Sequence, residues 1–180
     1  ESFRAVYDVG EVALGFLISC VGFVGLTLGV FGGILITRAG IRRAFVIGLV
    51  LAAGLSALQA LLPPFPVMIA LRILEGATHL AIVIAGPILM ARHSSDNARP
   101  AVMTLWSSFF GLSFMLIALI APPLLRAGGL PLLMLAHTGY MLLIAIALWR
   151  ILPAPTAVQA APVQEVSFDL RSMLRLHVSI

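Results

Sequence analysis

Residues 32–43 read GGILITRAGIRR, a stretch that places Arg38, Arg42 and Arg43 inside an otherwise apolar sequence. The residues from Val12 to Ile36 carry no charge, and residues 44–62, which follow the arginines, carry none either. About 20 apolar residues are enough for a helix to cross the hydrocarbon core of a membrane. The stretch therefore predicts a charged turn between two membrane-spanning helices.

The composition of the whole chain agrees with a membrane location. Hydrophobic residues make up 61% of the sequence, charged residues 10%, and the mean hydropathy is +1.13. Soluble domains contain about 45–50% apolar and roughly 25% charged residues. We therefore expect an all-α integral membrane protein. The basic residues lie in short loops and form no patch interleaved with aromatics, so no nucleic-acid partner is expected. The single cysteine, Cys20, excludes an internal disulfide, and neither a cofactor nor a metal site is expected.

Apolar runs and the breakers between them predict five transmembrane helices within a bundle at residues 1–153. Glycine and proline pairs, Pro63-Pro64, Pro122-Pro123 and Gly128-Gly129, separate several of the runs. The expected spans are 12–36, 44–62, 66–91, 101–120 and 131–152. Residues 154–180 are expected to form a cytoplasmic linker and tail, with a short amphipathic helix on the membrane surface. The alternative for this tail is a linker cut at an arbitrary point.

The arginines are unevenly divided between the two sides that five spans define. Eight of them fall on one side: Arg38, Arg42, Arg43, Arg92, Arg99, Arg150, Arg171 and Arg175. Only Arg4 and Arg126 fall on the other side. Because positively charged loops are retained in the cytoplasm, we expect the amino terminus outside and the carboxyl terminus inside. The expected location is the bacterial inner (plasma) membrane.

Three ionisable residues interrupt the third span. Arg72, Glu75 and His79 are spaced three and four apart, so their side chains share one helix face. A charge at the bilayer centre costs roughly 2.5–3.5 kcal/mol even on insertion scales, so such residues need a partner or a function. One hypothesis is that Arg72 pairs with Glu75 and that Glu75 or His79 exchanges a proton during transport. The other is a static Arg72–Glu75 pair, with Arg72 extended outward and His79 bonded to a neighbouring helix.

Other small or polar residues give weaker indications. Trp106, Ser107 and His137 are candidates for a substrate path, although serine hydroxyls in helices often bond back to their own backbone and an interfacial histidine is common. Four glycines lie along one face of the first span and predict a surface for close helix packing: Gly22, Gly25, Gly29 and Gly33.

The opening stretch resembles the loop signature of the major facilitator superfamily of secondary transporters. Six residues fit that signature: Gly33, Leu35, Arg38, Gly40, Arg42 and Arg43. Thr37 stands where the family usually has an acidic residue, and Ile41 where its basic run begins. The resemblance implies that Gly33, Arg38, Gly40, Arg42 and Arg43 belong to a gating loop between the family's second and third helices. In the family this loop helps to hold the outward-facing state.

A second stretch is also similar to this family. Residues 72–79, RILEGATH, match its fourth helix, in which an arginine precedes a glycine by four residues, here Arg72 and Gly76. The two matches together imply a partial six-helix half-bundle, the second to sixth helices of the amino-terminal half. The first helix and the second half would be missing.

The family resemblance implies alternating-access transport of a small solute, here expected to be proton-coupled, by a larger transporter. The expected partners are the lipid bilayer, a small-molecule substrate and the remaining transporter helices. One alternative is a non-transporting five-span membrane protein, such as an assembly or sensor subunit. An intramembrane enzyme is not expected, because the sequence has no metal-ligand spacing, phosphate loop or nucleophile elbow.

Overall fold

The computed structural model describes residues 2–152, which are helical nearly throughout and contain no strand. The helices are α1 (Ser2–Tyr7), α2 (Glu11–Ala39), α3 (Ile41–Gln59), α4 (Phe65–Arg92), α5 (Arg99–Ser107) and α6 (Phe109–Ile151). Four of these described helices, α2, α3, α4 and α6, are long and apolar enough to cross a membrane. The predicted all-α fold is confirmed. The predicted amphipathic helix in the tail lies outside the described residues.

The arginine-rich stretch forms a very short connection between α2 and α3. Only Gly40 separates the two helices, and its φ of 91° lies in the left-handed region that glycine adopts without a steric penalty. Arg38 lies in the last turn of α2, where a cation is favoured by the helix dipole. Arg42 and Arg43 lie at the start of α3.

The last long helix, α6, differs from the prediction in where it breaks. Pro122-Pro123 were expected to end the fourth span, but α6 continues through both prolines and is interrupted at Gly128 and Gly129. Proline keeps a helix-compatible φ, although it removes one N–H donor and crowds the carbonyl four residues earlier, whereas Gly129 has a φ of 66°, which ends a regular helix. The glycine pair divides α6 into a first arm, residues 109–127, and a second arm, residues 130–151.

The fourth expected span, 101–120, therefore has different bounds in the structure. Its beginning is the separate short helix α5, which ends at Ser107, and its remainder is the first part of the first arm. Ser108 between them keeps a right-handed φ and ψ of −80° and −7°, and its N–H bonds back to Thr104 and Leu105. The chain thus departs only locally from one continuous helix at this point.

Helix α4 is at the centre of the bundle, with α2 and α3 packed against it and the second arm packed against α3. Glycines permit the close contacts. A Cβ at Gly76 of α4 would lie 2.9 Å from the backbone oxygen of Val21 in α2. A Cβ at Gly48 of α3 would lie 3.3 Å from the backbone oxygen of Thr78 in α4. The approach at Gly76 packs α4 closely against α2, and the approach at Gly48 packs α3 closely against α4.

The predicted glycine strip on α2 does not make such contacts within the described residues. A Cβ built at Gly22, Gly25, Gly29 or Gly33 would meet no described atom within 4 Å. Apolar side chains such as Phe23 and Leu26 are exposed beside the strip. The strip is therefore an open face of this bundle, and the packing partner that we expected for it is not among residues 2–152.

The short helix α1 lies over the end of the bundle where α3 connects to α4. The Tyr7 hydroxyl donates a hydrogen bond to the Pro63 oxygen at 2.9 Å, and its ring contacts Phe65. Burial raises the pKa of Tyr7, so the hydroxyl stays protonated and remains a donor. This contact brings Phe3 of α1 close to Arg72, whose guanidinium lies 5.8 Å from the ring centroid.

Candidate functional site: a polar cluster between three helices

A polar cluster lies where α3, α4 and the second arm of α6 meet. Helix α3 contributes Ser56 and Gln59 from its last turns, and these two residues are 1% and 0% exposed. Helix α4 contributes Arg72 and Glu75, and the second arm contributes His137. Polar side chains buried in an apolar bundle are costly unless they are hydrogen-bonded, so their contacts indicate what the cluster can do.

The Glu75 carboxylate is the most highly bonded group of the cluster. Its Oε2 accepts one hydrogen bond from the Arg72 guanidinium and one from the Gln59 amide, both at 2.9 Å. The side chains of Arg72 and Glu75 are 19% and 14% exposed, so this ion pair is largely shielded from solvent. Hydrogen bonds to an ionised group are roughly twice as strong as those between neutral groups. The Gln59 bond therefore joins α3 to α4 most strongly when Glu75 is charged.

Gln59 also has an acceptor that is not used. Its Oε1 is buried and has no hydrogen-bond partner among the described residues. An unsatisfied buried polar atom costs about 1–3 kcal/mol. Gln59 is thus held by the bond from its amide nitrogen to Glu75, and its oxygen remains able to accept a hydrogen bond.

His137 forms a second network next to the first. Its Nδ1 lies 3.0 Å from Ser56 Oγ, and the Ser56 hydroxyl donates its only proton to the Met134 oxygen at 2.9 Å. Because a hydroxyl has one proton and two lone pairs, the Ser56 oxygen must accept and His137 Nδ1 must donate. The nitrogen of His137 that can take up or release a proton is then Nε2.

The other residues singled out on α4 and α5 lie apart from this cluster. His79 is exposed and makes no side-chain hydrogen bond to any residue among 2–152. The Trp106 ring packs across Gly86 of α4 and stacks on Phe109 at 4.8 Å. The Ser107 hydroxyl donates to the Met103 oxygen of its own helix at 3.0 Å. Arg72, Glu75 and His137 are therefore brought together, whereas His79, Trp106 and Ser107 are not.

The residues of the expected gating loop lie at the opposite end of α3 from Gln59. Arg38 and Arg43 are exposed, and Arg42 donates a hydrogen bond to the Trp149 oxygen at 2.8 Å. Thr37, at the position where the family resemblance leads one to expect a carboxylate, bonds back to Gly33 and Ile34 of its own helix. The ion pairs of the described residues all lie outside this loop.

The sequence reasoning missed Ser56 and Gln59. A signal existed, since both are polar, lie three residues apart and interrupt the last turns of an otherwise apolar span. Neither residue is charged, however, and the sequence does not state which face of α3 meets α4. Within residues 2–152, no three histidine, cysteine or acidic side chains gather as a metal site would require.

Comparison with protein families agrees with the loop and fourth-helix motifs. The model of the Major Facilitator Superfamily matches residues 3–179, nearly the whole chain. The chain belongs to the major facilitator superfamily. Members of this superfamily are secondary transporters, not enzymes, and the apolar helices place the chain in a membrane. No curated protein and no solved structure matches it. As a member of this superfamily, the chain carries Arg72 and Glu75 of its polar cluster on the helix that resembles the family's fourth.

Proposed function

We propose that the protein moves a small solute across the membrane by alternating access, and that a proton bound and released at Glu75 drives the cycle. The observation that carries this proposal is the contact between Glu75 Oε2 and two donors, one on its own helix and one on α3. A carboxylate inside a helical bundle is costly and is often part of a proton pathway.

Protonation of Glu75 changes both of its contacts. In the charged state, Glu75 neutralises Arg72 and accepts the Gln59 bond. After protonation, Arg72 has no counterion in this cluster, and the Gln59 bond loses its charge assistance, which accounts for roughly half of its strength. Since Gln59 lies on α3 and Glu75 on α4, the proton weakens an interhelical contact. Binding and release of a proton can thereby alternate the relative stability of two helix arrangements.

His137 is the second proton-binding group of the proposed site. It reaches Ser56, which lies three residues from Gln59 on α3, so the two networks share one face of that helix. Its Nε2 is suited to contact a solute or to pass a proton to it. His79, one turn beyond Glu75 on α4, belongs to the proposed proton path as an exposed residue. Neither Trp106 nor Ser107 is included, because both have contacts that account for them.

The proposal includes the rest of a transporter. We propose that the described helices correspond to the second to sixth helices of a six-helix half, and that the remaining helices complete the solute pathway. A pathway between two pseudo-symmetric halves requires surfaces that are not in this bundle. The open glycine strip of α2 supports this view, because close-packing faces are normally occupied by another helix.

The test is transport by the full-length protein in proteoliposomes, with a panel of small metabolites and an imposed pH gradient. A gradient of about one pH unit corresponds to about 1.4 kcal/mol, or a roughly ten-fold accumulation for one proton per solute. We expect the wild type to accumulate a solute and Glu75→Gln to lose that accumulation while still binding the solute. Solute binding is measured separately by isothermal calorimetry.

The matched control is Glu11→Gln. Glu11 also pairs with an arginine, Arg4, at 3.4 Å, but its side chain is 86% exposed. This variant should accumulate solute like the wild type. Normal accumulation by Glu75→Gln would make Glu75 a structural partner of Arg72 and refute the coupling proposal. A wild type that moves nothing in a broad panel would favour the non-transporting membrane protein.

A further inference from the structure

A groove with a volume of about 310 Å³ lies between α3 and the second arm of α6, away from the polar cluster. Val46 and Val50 of α3 line one wall, and Leu142, Ile146 and Trp149 of α6 line the other. Val46 is buried at the floor, whereas the other four side chains are 40–56% exposed. The groove is therefore an apolar channel along the surface of two well-packed helices.

One end of this groove is strongly basic. Arg150 lines the groove itself. The Arg42 guanidinium lies 4.5 Å from the centroid of the Trp149 ring and donates to the Trp149 oxygen at 2.8 Å. Its Nε is buried and has no hydrogen-bond partner among the described residues. Arg42 is thus fixed beside the aromatic wall by its two contacts with Trp149.

No described carboxylate neutralises this basic end. The ion pairs among residues 2–152 are Arg4–Glu11, Arg72–Glu75 and Arg99–Asp96, and none includes Arg42 or Arg150. Arg42 and Arg43 also lie in the first turn of α3, where the helix dipole already places positive charge. An anion at this position would stabilise both the arginines and the helix end.

We propose that the groove binds an anionic glycerophospholipid, with an acyl chain along the apolar walls and the phosphate at Arg42 and Arg150. A lipid without net charge would fill the walls but bring no net negative charge to the arginines. Free phosphate would meet the arginines but leave the apolar channel uncovered. Only a ligand with both parts matches both surfaces. The site does not involve Glu75 and therefore stands independently of the proposed transport.

The test is native mass spectrometry of the full-length protein in a neutral detergent. Phosphatidylglycerol and phosphatidylcholine with the same acyl chains are titrated separately, and the lipid-bound fraction is measured. We expect preferential binding of phosphatidylglycerol. Arg42→Gln and Arg150→Gln should each weaken it by about five-fold, because one basic residue near an anionic lipid contributes about 1 kcal/mol. Arg92→Gln removes an exposed arginine that does not line the groove and should leave the binding unchanged.

Two further measurements distinguish binding of the whole lipid from binding of its acyl chain or its phosphate alone. Ile146→Trp fills the groove without changing charge and should reduce phosphatidylglycerol binding, whereas millimolar inorganic phosphate should not displace the lipid. Arg150 is exposed, so its variant should fold, which circular dichroism checks. The proposal is overturned if both lipids bind equally, if Arg150→Gln binds like the wild type, if Ile146→Trp has no effect, or if inorganic phosphate displaces the lipid.

Discussion

Among the single residues, Ser56 joins two helices and a histidine with one hydroxyl group. It accepts from His137 and donates to the backbone of the second arm, and it is almost completely buried. Replacement by alanine leaves both partners without their bond and without water to replace it. We expect Ser56→Ala to lower the free energy of unfolding by about 1–3 kcal/mol. Thermal or denaturant unfolding of the purified protein measures this loss.

Ser107→Ala is the control because the substitution is identical. The Ser107 hydroxyl is exposed and bonds only to its own helix, so its removal should change stability by less than about 0.5 kcal/mol. Equal effects of the two substitutions would contradict the role assigned to Ser56. A loss confined to Ser56→Ala would instead show that the α3–α6 contact depends on this hydroxyl.

The sequence predicts part of the polar cluster. Arg72 and Glu75 are found from spacing alone, since an i, i+3 pair of opposite charges on one helix can meet whatever surrounds it. The Gln59 bond to Glu75 joins two helices, and it depends on the depth and rotation of α3 against α4. The spacing of residues along one helix determines neither this depth nor this rotation. The same reason explains why His137 could be singled out by its type but not assigned to Ser56.

At the scale of helices, Gly76 sets the distance between α4 and α2. A Cβ at this position would lie 2.9 Å from the Val21 oxygen and 3.0 Å from the Val24 Cβ. The Val21 oxygen belongs to the backbone, so no side-chain rotation can relieve the contact. We expect Gly76→Ala to push the helices apart and to lower the stability by about 1–3 kcal/mol, a typical cost of overpacking. The same unfolding measurement detects it.

Gly54→Ala on α3 is the matched control for Gly76→Ala, because Gly54 is exposed and lies outside the glycine strip of α2. Nothing among the described residues lies within 4 Å of a Cβ at Gly54. Alanine also favours a helix over glycine by about 0.8–1.0 kcal/mol, so this variant should be as stable as the wild type or more stable. If Gly76→Ala were harmless, the close approach of α2 to α4 would not depend on this glycine.

The helices themselves show how far apolar patterns can predict a membrane fold. Long apolar runs predict α2, α3 and α4, because each run must satisfy its backbone hydrogen bonds internally in lipid. The patterns are less informative for α6, where Pro122-Pro123 and Gly128-Gly129 both had the composition of a break. The chain breaks at the glycines, where Gly128 and Gly129 both leave the helical region and Gly129 takes a positive φ that proline cannot adopt. Apolar patterns also do not predict which helix packs against a glycine strip.

At the scale of the whole molecule, much of the apolar surface faces outward. Most side chains of the first arm are exposed, and so are many on α2. In water this surface would drive aggregation, whereas in a membrane it meets lipid or further helices. The basic residues are distributed unevenly and are concentrated in the connections at one end of the spans. This asymmetry leads to a prediction about orientation.

Single cysteines report which side each connection faces. On a Cys20→Ser background, Leu61→Cys and Ala127→Cys lie in connections that we expect outside, and Ser95→Cys lies in one that we expect inside. All three positions are exposed. We expect a membrane-impermeant maleimide to label the first two in intact cells and the third only after permeabilisation, because arginine-rich loops remain in the cytoplasm.

The Cys20→Ser protein without an added cysteine is the control and should not be labelled, since residue 20 is the only cysteine among residues 1–180. The opposite labelling pattern would invert the orientation, and the charge bias would then have been overruled by the rest of the protein. Labelling of Leu61→Cys but not Ala127→Cys would mean that the glycine break in α6 does not return the chain to the outer side. In that case α5 and the first arm would not cross the membrane, and the bundle would have one crossing fewer than the charge pattern requires.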